Sequence, residues 1–234
     1  MLANVGTLIS LIIAAIINVG LIIYLGRGRN KNQMSKMFIL TIFLLFVWVF
    51  FLILQITLSI PLNIEPIYFE YLVYIGACFV PVGVFFIGLI YLKGKIKFKP
   101  KYLLTLIIPI ISLLALWTND FHHLFYEYYS VDLTAAKYGP LSDLHTYYSY
   151  IMLGLGIFYL LRATAKSSGI LSKQSLLILL GVSIPIVVNI LGTFEIFHMS
   201  VYITPITFVF TIVMCAISIF KFQFLGIAPI ALQI

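Results

Sequence analysis

Residues 67–101 read IYFEYLVYIGACFVPVGVFFIGLIYLKGKIKFKPK, and this stretch decides the fold class. Up to Leu92 it is an apolar run whose one charged residue is Glu70, and from Lys93 onward it carries five lysines at alternate positions. About 20 apolar residues are enough for a helix to cross the roughly 30 Å hydrocarbon core of a bilayer. The run therefore predicts a transmembrane helix, and the lysines place its second end in the cytoplasm, where basic residues accumulate.

The composition of the whole chain agrees with this class. Of its 234 residues, 63% are hydrophobic and 9% are charged, and the mean hydropathy is +1.16, which excludes a soluble protein. We predict an all-α membrane protein, a bundle of seven transmembrane helices in one domain over residues 1–221, followed by an exit linker at 222–234. The seven predicted helices cover about residues 2–25, 37–59, 67–92, 102–118, 143–161, 175–194 and 201–220.

The distribution of charge gives the bundle a direction. Thirteen of the fourteen basic residues follow the first, third, fifth and seventh apolar runs, and Lys137 is the exception. The seven acidic residues lie on or beside the opposite segments. We therefore expect the N-terminus outside, the C-terminus in the cytoplasm, and a multi-pass protein of the cell membrane. This bias accounts for the formal charge of +7, so lipids and not nucleic acid are the expected partners of the basic segments.

The predicted spans lack residues that several membrane functions need. None contains a lysine or arginine, which argues against an ion path built on paired charges. Because residues 201–220 hold no lysine, a retinal Schiff base has no attachment point. The chain shows no catalytic-triad order, no phosphate-binding glycine loop and no metal motif. Neither a cofactor, nor a resident metal, nor catalysis is expected.

Aromatic and polar residues concentrate instead on the predicted outer side. Eleven of the fifteen tyrosines and all four histidines belong to the outer loops or outer helix halves. One interpretation is an interfacial aromatic belt with loop packing, and a second is a pocket between helix ends that closes over a small ligand. The candidate ligand-binding residues are Glu70, Tyr71, Tyr74, Trp117, Asn119, His122, His123 and Asn189. A third interpretation, a zinc site or pH switch, is weaker because the adjacent His122 and His123 point about 100° apart on a helix.

Polar residues and prolines inside the spans have structural explanations. Gln55 and Asn189 lie about one turn from the outer surface and Asn18 lies deeper, where hydrogen bonds between helices are the expected role. Four prolines lie within the predicted spans and permit kinks, which act as hinges in some receptors. They are Pro81, Pro109, Pro185 and Pro205.

Two stretches resemble a known family. They are Trp117-Thr-Asn-Asp-Phe-His-His-Leu-Phe-Tyr126 and Phe220-Lys-Phe-Gln-Phe-Leu-Gly-Ile-Ala-Pro-Ile-Ala231. They are similar to the N-terminal seven-transmembrane sensor region of bacterial membrane histidine kinases, in which the fourth helix leaves through a Thr-Asn-x-x-His-His signature and the last helix through a basic and aromatic run. Thr118, Asn119, His122 and His123 match the first pattern, and Lys221, Leu225, Pro229 and Ala231 match the second. Gln223 and Gln233 depart from it, because arginines are expected there.

The resemblance implies a receptor. Such a module binds an extracellular small molecule or short peptide between its outer helix ends and passes the signal to a cytoplasmic histidine kinase of a two-component system, often as a homodimer. The sequence reaches Ile234 without a phosphoacceptor histidine or ATP-binding domain, so the kinase activity is expected outside these residues. A small-molecule transporter or channel is the alternative, and a metal-dependent membrane enzyme is a third.

Overall fold

The computed structural model of the protein describes residues 5–27, 32–97, 99–131, 135–166, 169–193 and 203–222. It is an all-α membrane protein with one small hairpin. The long helices are α1 (Val5–Arg27), α2 (Gln33–Leu58), α3 (Pro66–Lys93), α4 (Ile107–Trp117), α6 (Pro140–Lys166), α7 (Gly169–Thr193) and α8 (Ile203–Phe222). A 3-10 helix, Pro100–Leu106, precedes α4, a one-turn helix α5 (Asn119–His122) follows it, and strands β1 (Tyr126–Tyr128) and β2 (Lys137–Tyr138) come next.

Five stretches of the described chain are long and apolar enough to cross a membrane. They are α1, α2, α3, the combined stretch Pro100–Trp117, and α6. Within α7, Ser172–Val188 is a shorter apolar helix. These helices make the chain a multi-pass membrane protein, while the count of seven spans and the orientation stay predictions. Apart from Phe222, which ends α8, the predicted exit linker, with Leu225, Pro229 and Ala231, lies outside the described residues.

The helix α2 begins four residues before the predicted start at Met37. Hydropathy finds the apolar run, but here the helix starts in polar sequence at an N-cap, Asn32, whose side chain accepts a hydrogen bond from the backbone N–H of Ser35 at 2.8 Å. Gln33 then donates to the carbonyl of Ile96 at 3.0 Å and accepts from its N–H at 2.9 Å. The basic segment after α3 is thereby fixed to the start of α2.

The fourth helix is not the single α-helix that the apolar run predicts. It starts as the 3-10 helix Pro100–Leu106 and becomes α-helical at Ile107. Pro109 lies in the first turn of α4, where a missing N–H is tolerated. The carbonyl that this N–H would have bound, four residues earlier, belongs to Thr105, and it accepts a hydrogen bond from the phenol of Tyr148 on α6. A side chain of another helix thus satisfies the backbone group that the proline leaves free.

Replacing Tyr148 with phenylalanine should destabilise the bundle by about 1 kcal/mol, because the carbonyl of Thr105 loses its partner. The expected readout is a lower thermal unfolding midpoint in detergent with an unchanged elution volume. Tyr147→Phe is the matched control, since Tyr147 is exposed on the same helix. Equal midpoints for the two variants would contradict the role assigned to Tyr148.

Pro185 in α7 has the same arrangement. The carbonyl of Gly181, four residues earlier, accepts a hydrogen bond from the Thr211 hydroxyl of α8 at 2.6 Å. Gly181 also allows close packing, because a Cβ there would lie 3.0 Å from the Cβ of Met214. The two helices are therefore joined at a proline position, in the middle of their lengths.

The helix α3 is the centre of the bundle and most of its residues are buried. It contacts α2, α4 and α6. A Cβ at Gly76 would overlap the backbone of α2 at Leu44, and a Cβ at Gly88 would overlap the backbone oxygen of Gly156 on α6. Small residues let membrane helices approach closely, and this close packing replaces the hydrophobic driving force that lipid removes.

Most of the remaining core is apolar, and Asn18 of α1 is one of its buried polar residues. Its side chain is completely buried. The hydrogen bond to another helix that its position predicted is not formed, because among the described residues neither amide atom has a partner. A buried amide without a partner costs free energy, so Asn18 weakens the contact of α1 with its neighbours.

The segment between α4 and α6, expected to be a loop, has a structure of its own. The strands β1 and β2 pair in antiparallel fashion with Tyr126 opposite Tyr138. Along β1, Tyr126 is buried while Glu127 and Tyr128 are exposed. The pairing register shifts between Tyr126 and Tyr128, and such an irregularity interrupts the alternation of a regular strand. We call residues 119–139, of which 132–134 are outside the described residues, the cap. The end of the bundle that it covers, where α4 ends and α3 and α6 begin, is called the capped end.

Candidate ligand site at the capped end

Asn119 holds the cap together. It is buried, and its side-chain oxygen accepts hydrogen bonds from the backbone N–H groups of Phe125 and Tyr126 at 2.9 and 3.0 Å. Its amide nitrogen donates to the carbonyl of Tyr126 at 2.9 Å. Three of its four hydrogen-bonding positions are thus used inside the cap. Direct contact of Asn119 with a ligand stays a prediction, and its contacts in the structure are to the backbone.

The two neighbouring histidines have different surroundings. His122 accepts a hydrogen bond from the N–H of Leu124 at its Nδ1 atom, 2.9 Å away, so its neutral ring carries the proton at Nε2, which lies 3.0 Å from the hydroxyl of Thr118. That hydroxyl donates to the carbonyl of Leu114 at 2.7 Å. His123 adopts a left-handed backbone conformation with φ of 52° and its side chain is exposed. The two histidines therefore form the end of α5, and their side chains do not converge on one ligand atom.

Where the cap meets helices α2 and α3, five polar and aromatic side chains lie together. We call Gln55, Glu70, Tyr74, Tyr126 and Tyr129 the tyrosine cluster. The side-chain nitrogen of Gln55 contacts the hydroxyl of Tyr129 at 3.0 Å and the carboxylate of Glu70 at 3.4 Å. The Tyr129 hydroxyl lies 3.5 Å from the same carboxylate oxygen, and the hydroxyls of Tyr74 and Tyr126 lie 3.2 Å apart. Helices α2 and α3 thereby contact the cap through polar groups.

Ring contacts fix the cap above this cluster. Phe125 is completely buried, and its ring meets Tyr74 edge to face with centroids 5.2 Å apart. The Tyr126 ring lies 5.3 Å from Tyr129 and 5.4 Å from Tyr138. Burial raises the pKa of Tyr126 well above its ordinary value and that of Tyr138 to about 12. Both phenols therefore keep their protons at neutral pH and remain hydrogen-bond donors.

Trp117 and Tyr71 lie at the rim of the cluster. The indole N–H of Trp117 donates to the backbone carbonyl of Tyr71 at 3.0 Å, while 45% of its side-chain surface stays exposed. The Tyr71 ring packs edge to face against Tyr68 at 5.9 Å. This arrangement leaves an aromatic surface beside the tyrosine cluster for a ligand to contact.

The structure brings together part of the candidate set. Glu70 and Tyr74 belong to the tyrosine cluster, Tyr71 and Trp117 to its rim, and Asn119, His122 and His123 to the cap. The side chain of Asn189 lies outside the described part of the structure. Sequence reasoning left Gln55, Tyr126 and Tyr129 out of the candidate site. A glutamine in an apolar span was the available signal for Gln55, whereas nothing distinguished the two tyrosines from an interfacial belt.

Charge at the capped end is negative. Glu65, Asp120, Glu127 and Asp143 are exposed around it, and the basic residue of this end is Lys137. Within the described residues, no three His, Cys, Asp or Glu side chains gather to hold a metal ion. The electrostatic field at the described rim therefore favours cations that approach from solvent.

Comparison with known proteins gives the family. No curated protein and no solved structure matches the chain at a significant level. The family model described as the N-terminal 7TM region of histidine kinase matches residues 10–229. That range contains both sequence stretches quoted above, apart from the last two residues of the second, together with the whole cap and α1 through α8 except the first five residues of α1. The chain thus belongs to the family of N-terminal seven-transmembrane sensor regions of histidine kinases, and it is a multi-pass membrane protein.

Proposed function

We propose that this chain is the sensor module of a membrane histidine kinase and that it binds an extracellular small molecule or short peptide at the capped end. The observation that carries the proposal is the tyrosine cluster, in which Gln55, Glu70 and Tyr126 are buried, at a cap held by Asn119. Family membership supports the signalling class and a cytoplasmic kinase output. The bias of basic residues toward the opposite end supports an extracellular position for the cap.

Binding at this end would act first on α3. Glu70 and Tyr74 belong to α3, and both contact tyrosines of the cap. A ligand that displaces Tyr129 or Tyr126 changes the contacts of α3 while α3 stays in close contact with α2 and α6. A signal requires that the ligand bind one arrangement of these helices better than another.

The route toward the kinase would run through α7 and α8. A cavity of about 40 Å³ lies between α2, α3, α6, α7 and α8, and its wall includes Val84, Val182, Phe208 and Thr211. Empty space deprives its lining of packing contacts, so the wall is a place where side chains can repack at low cost. Thr211 also forms the hydrogen bond to Gly181 at the proline position of α7. We propose that a shift of α3 or α6 reaches α8, the last helix, across this cavity.

Trp117→Ala should weaken the response to the native ligand about tenfold or more, because a half-exposed indole at the rim contributes contact area without holding the core. The response is measured as ligand-dependent autophosphorylation of a histidine kinase core joined to the end of the chain, in proteoliposomes. Phe121→Ala is the matched control, since Phe121 is a cap aromatic with 89% of its surface exposed. If both variants respond like the unaltered protein, the rim is not the binding site.

A further inference from the structure

Glu70 is a buried acid that has no cationic partner within the described part of the chain. It has 7% of its surface exposed and lies about one turn inside α3. Its hydrogen-bond partners among the described residues include the neutral groups of Gln55 and Tyr129. No described lysine, arginine or histidine forms an ion pair with it, and basic residues otherwise concentrate at the other end of the chain's helices. A buried carboxylate is normally paired with a positive charge.

The neutral partners of Glu70 offset the cost of burying its carboxylate only weakly. Their distances of 3.4 and 3.5 Å exceed the usual range for hydrogen bonds of these types. The two N–H groups of Gln55 are also shared among three acceptors, because the carbonyl of Pro66 lies 2.9 Å away and Tyr129 lies 3.0 Å away. The carboxylate therefore retains unused accepting capacity.

Three aromatic side chains of the tyrosine cluster lie on the same side of the bundle as this acid, and the hydroxyl of Tyr129 contacts it. The rings of Tyr126 and Tyr129 pack edge to face with centroids 5.3 Å apart, and the Tyr74 hydroxyl lies 3.2 Å from that of Tyr126. The faces of aromatic rings attract cations, and several rings around one acid form the kind of cage that recognises ammonium groups. Tyr129 is partly exposed, so a ligand can reach it from solvent. Its displacement breaks the long contact to Glu70 and the 3.0 Å contact to Gln55, while Gln55 keeps the carbonyl of Pro66 as a partner.

We propose that the tyrosine cluster binds a small organic cation through its ammonium group, with Glu70 as the counter-charge and the rings of Tyr126 and Tyr129 as the surrounding surface. The inference rests on the proposed function and specifies the ligand class of that same site. The exposed carboxylates Asp120 and Glu127 raise the local concentration of cations near the rim. An anionic ligand would bring a second negative charge toward a buried carboxylate and is disfavoured.

The test uses the whole chain in lipid nanodiscs and isothermal titration calorimetry with defined probes. Choline and butylammonium carry the proposed group, and 3,3-dimethyl-1-butanol replaces the nitrogen of choline with carbon. We expect both cations to bind saturably below about 10 mM and the neutral isostere to bind about tenfold more weakly or not at all. Glu70→Gln should weaken binding of the cations about tenfold or more, while Glu65→Gln at the exposed rim changes it less than about twofold.

The Glu70→Gln variant keeps the shape and the accepting oxygen of the side chain, so it should fold, and its elution profile and thermal midpoint check this. If that variant misfolds, the comparison of choline with its neutral isostere decides, because it leaves Glu70 in place. Equal affinity for choline and its isostere, undiminished cation binding by a folded Glu70→Gln variant, or no cation binding at all would overturn the inference. A neutral or anionic molecule that signals through Trp117 would overturn it while leaving the proposed function in place.

Discussion

Replacing Gly88 with leucine is expected to prevent assembly of the bundle. The Cβ of any residue at this position would overlap the backbone oxygen of Gly156 on α6. Backbone cannot rotate away as a side chain can, so α3 and α6 must separate. Overpacking a well-fitted core typically costs about 1–3 kcal/mol, and a leucine at a backbone contact should exceed that range. We expect no monodisperse peak on size-exclusion chromatography and no cooperative thermal transition.

Two milder substitutions on α6 separate this steric effect from other consequences of losing a glycine. Gly156→Ala should lower stability by about 1–3 kcal/mol, because a Cβ there would lie 3.0 Å from both the side chain and the carbonyl of Val84. Gly154→Ala is the control on the same helix, since its Cβ would meet nothing within 4 Å, and alanine favours a helix. A Gly156→Ala variant as stable as Gly154→Ala would refute the close contact.

The central helix α3 could be predicted from the sequence. The apolar run 67–92 corresponds to α3 at Pro66–Lys93, because hydropathy and the cost of an unpaired backbone in lipid act on each span separately. Boundaries were less accurate where polar residues begin a helix. The fifth predicted span began at residue 143, yet α6 begins at Pro140. Pro140 is a favoured first residue of a helix, and Ser142 and His145 are buried against neighbours.

Partners between helices were not predictable, since each depends on a residue far away in the chain. Pro109 indicated that a carbonyl would be free, but the phenol that binds it belongs to Tyr148, 43 residues beyond Thr105. Likewise Gln55 and Tyr129 are 74 residues apart. A single sequence carries no signal for such pairs. The distribution of the tyrosines along the sequence indicated the end of the bundle at which they gather. Only the fold shows which of them form the cluster.

The signature Thr118-Asn119-x-x-His122-His123 illustrates the same limit. Its residue types suggested ligand contacts, because histidine and asparagine at a membrane surface are common binding groups. In the structure, Thr118 and His122 bind each other, and Asn119 and His123 share a backbone hydrogen bond of 2.8 Å. The signature thus explains how the chain turns from α4 into the cap. We propose that its contribution to binding is indirect, through the position of Tyr126 and Tyr129.

Asn119→Ala should release the cap. The substitution leaves the N–H groups of Phe125 and Tyr126 and the carbonyl of Tyr126 without their partner. Buried groups left unsatisfied cost about 1–3 kcal/mol each, and the effects within one network do not add fully. A loss of about 3 kcal/mol in local stability corresponds to roughly hundredfold faster amide hydrogen exchange at these two residues. Hydrogen exchange followed by mass spectrometry on the protein in nanodiscs measures this acceleration directly.

Two further variants show whether the hydrogen bonds of Asn119 are the cause. Asn119→Asp keeps both acceptor contacts and loses only the donor to Tyr126, so its exchange rates should fall between those of the unaltered protein and the alanine variant. Asp120→Ala removes an exposed neighbour and should leave the amides of Phe125 and Tyr126 protected. If these two amides exchange as slowly in Asn119→Ala as in the unaltered protein, the packing of Phe125 holds the cap and the hydrogen bonds of Asn119 do not. If exchange accelerates and cation binding is lost together, the ring positions set by Asn119 are what the ligand requires.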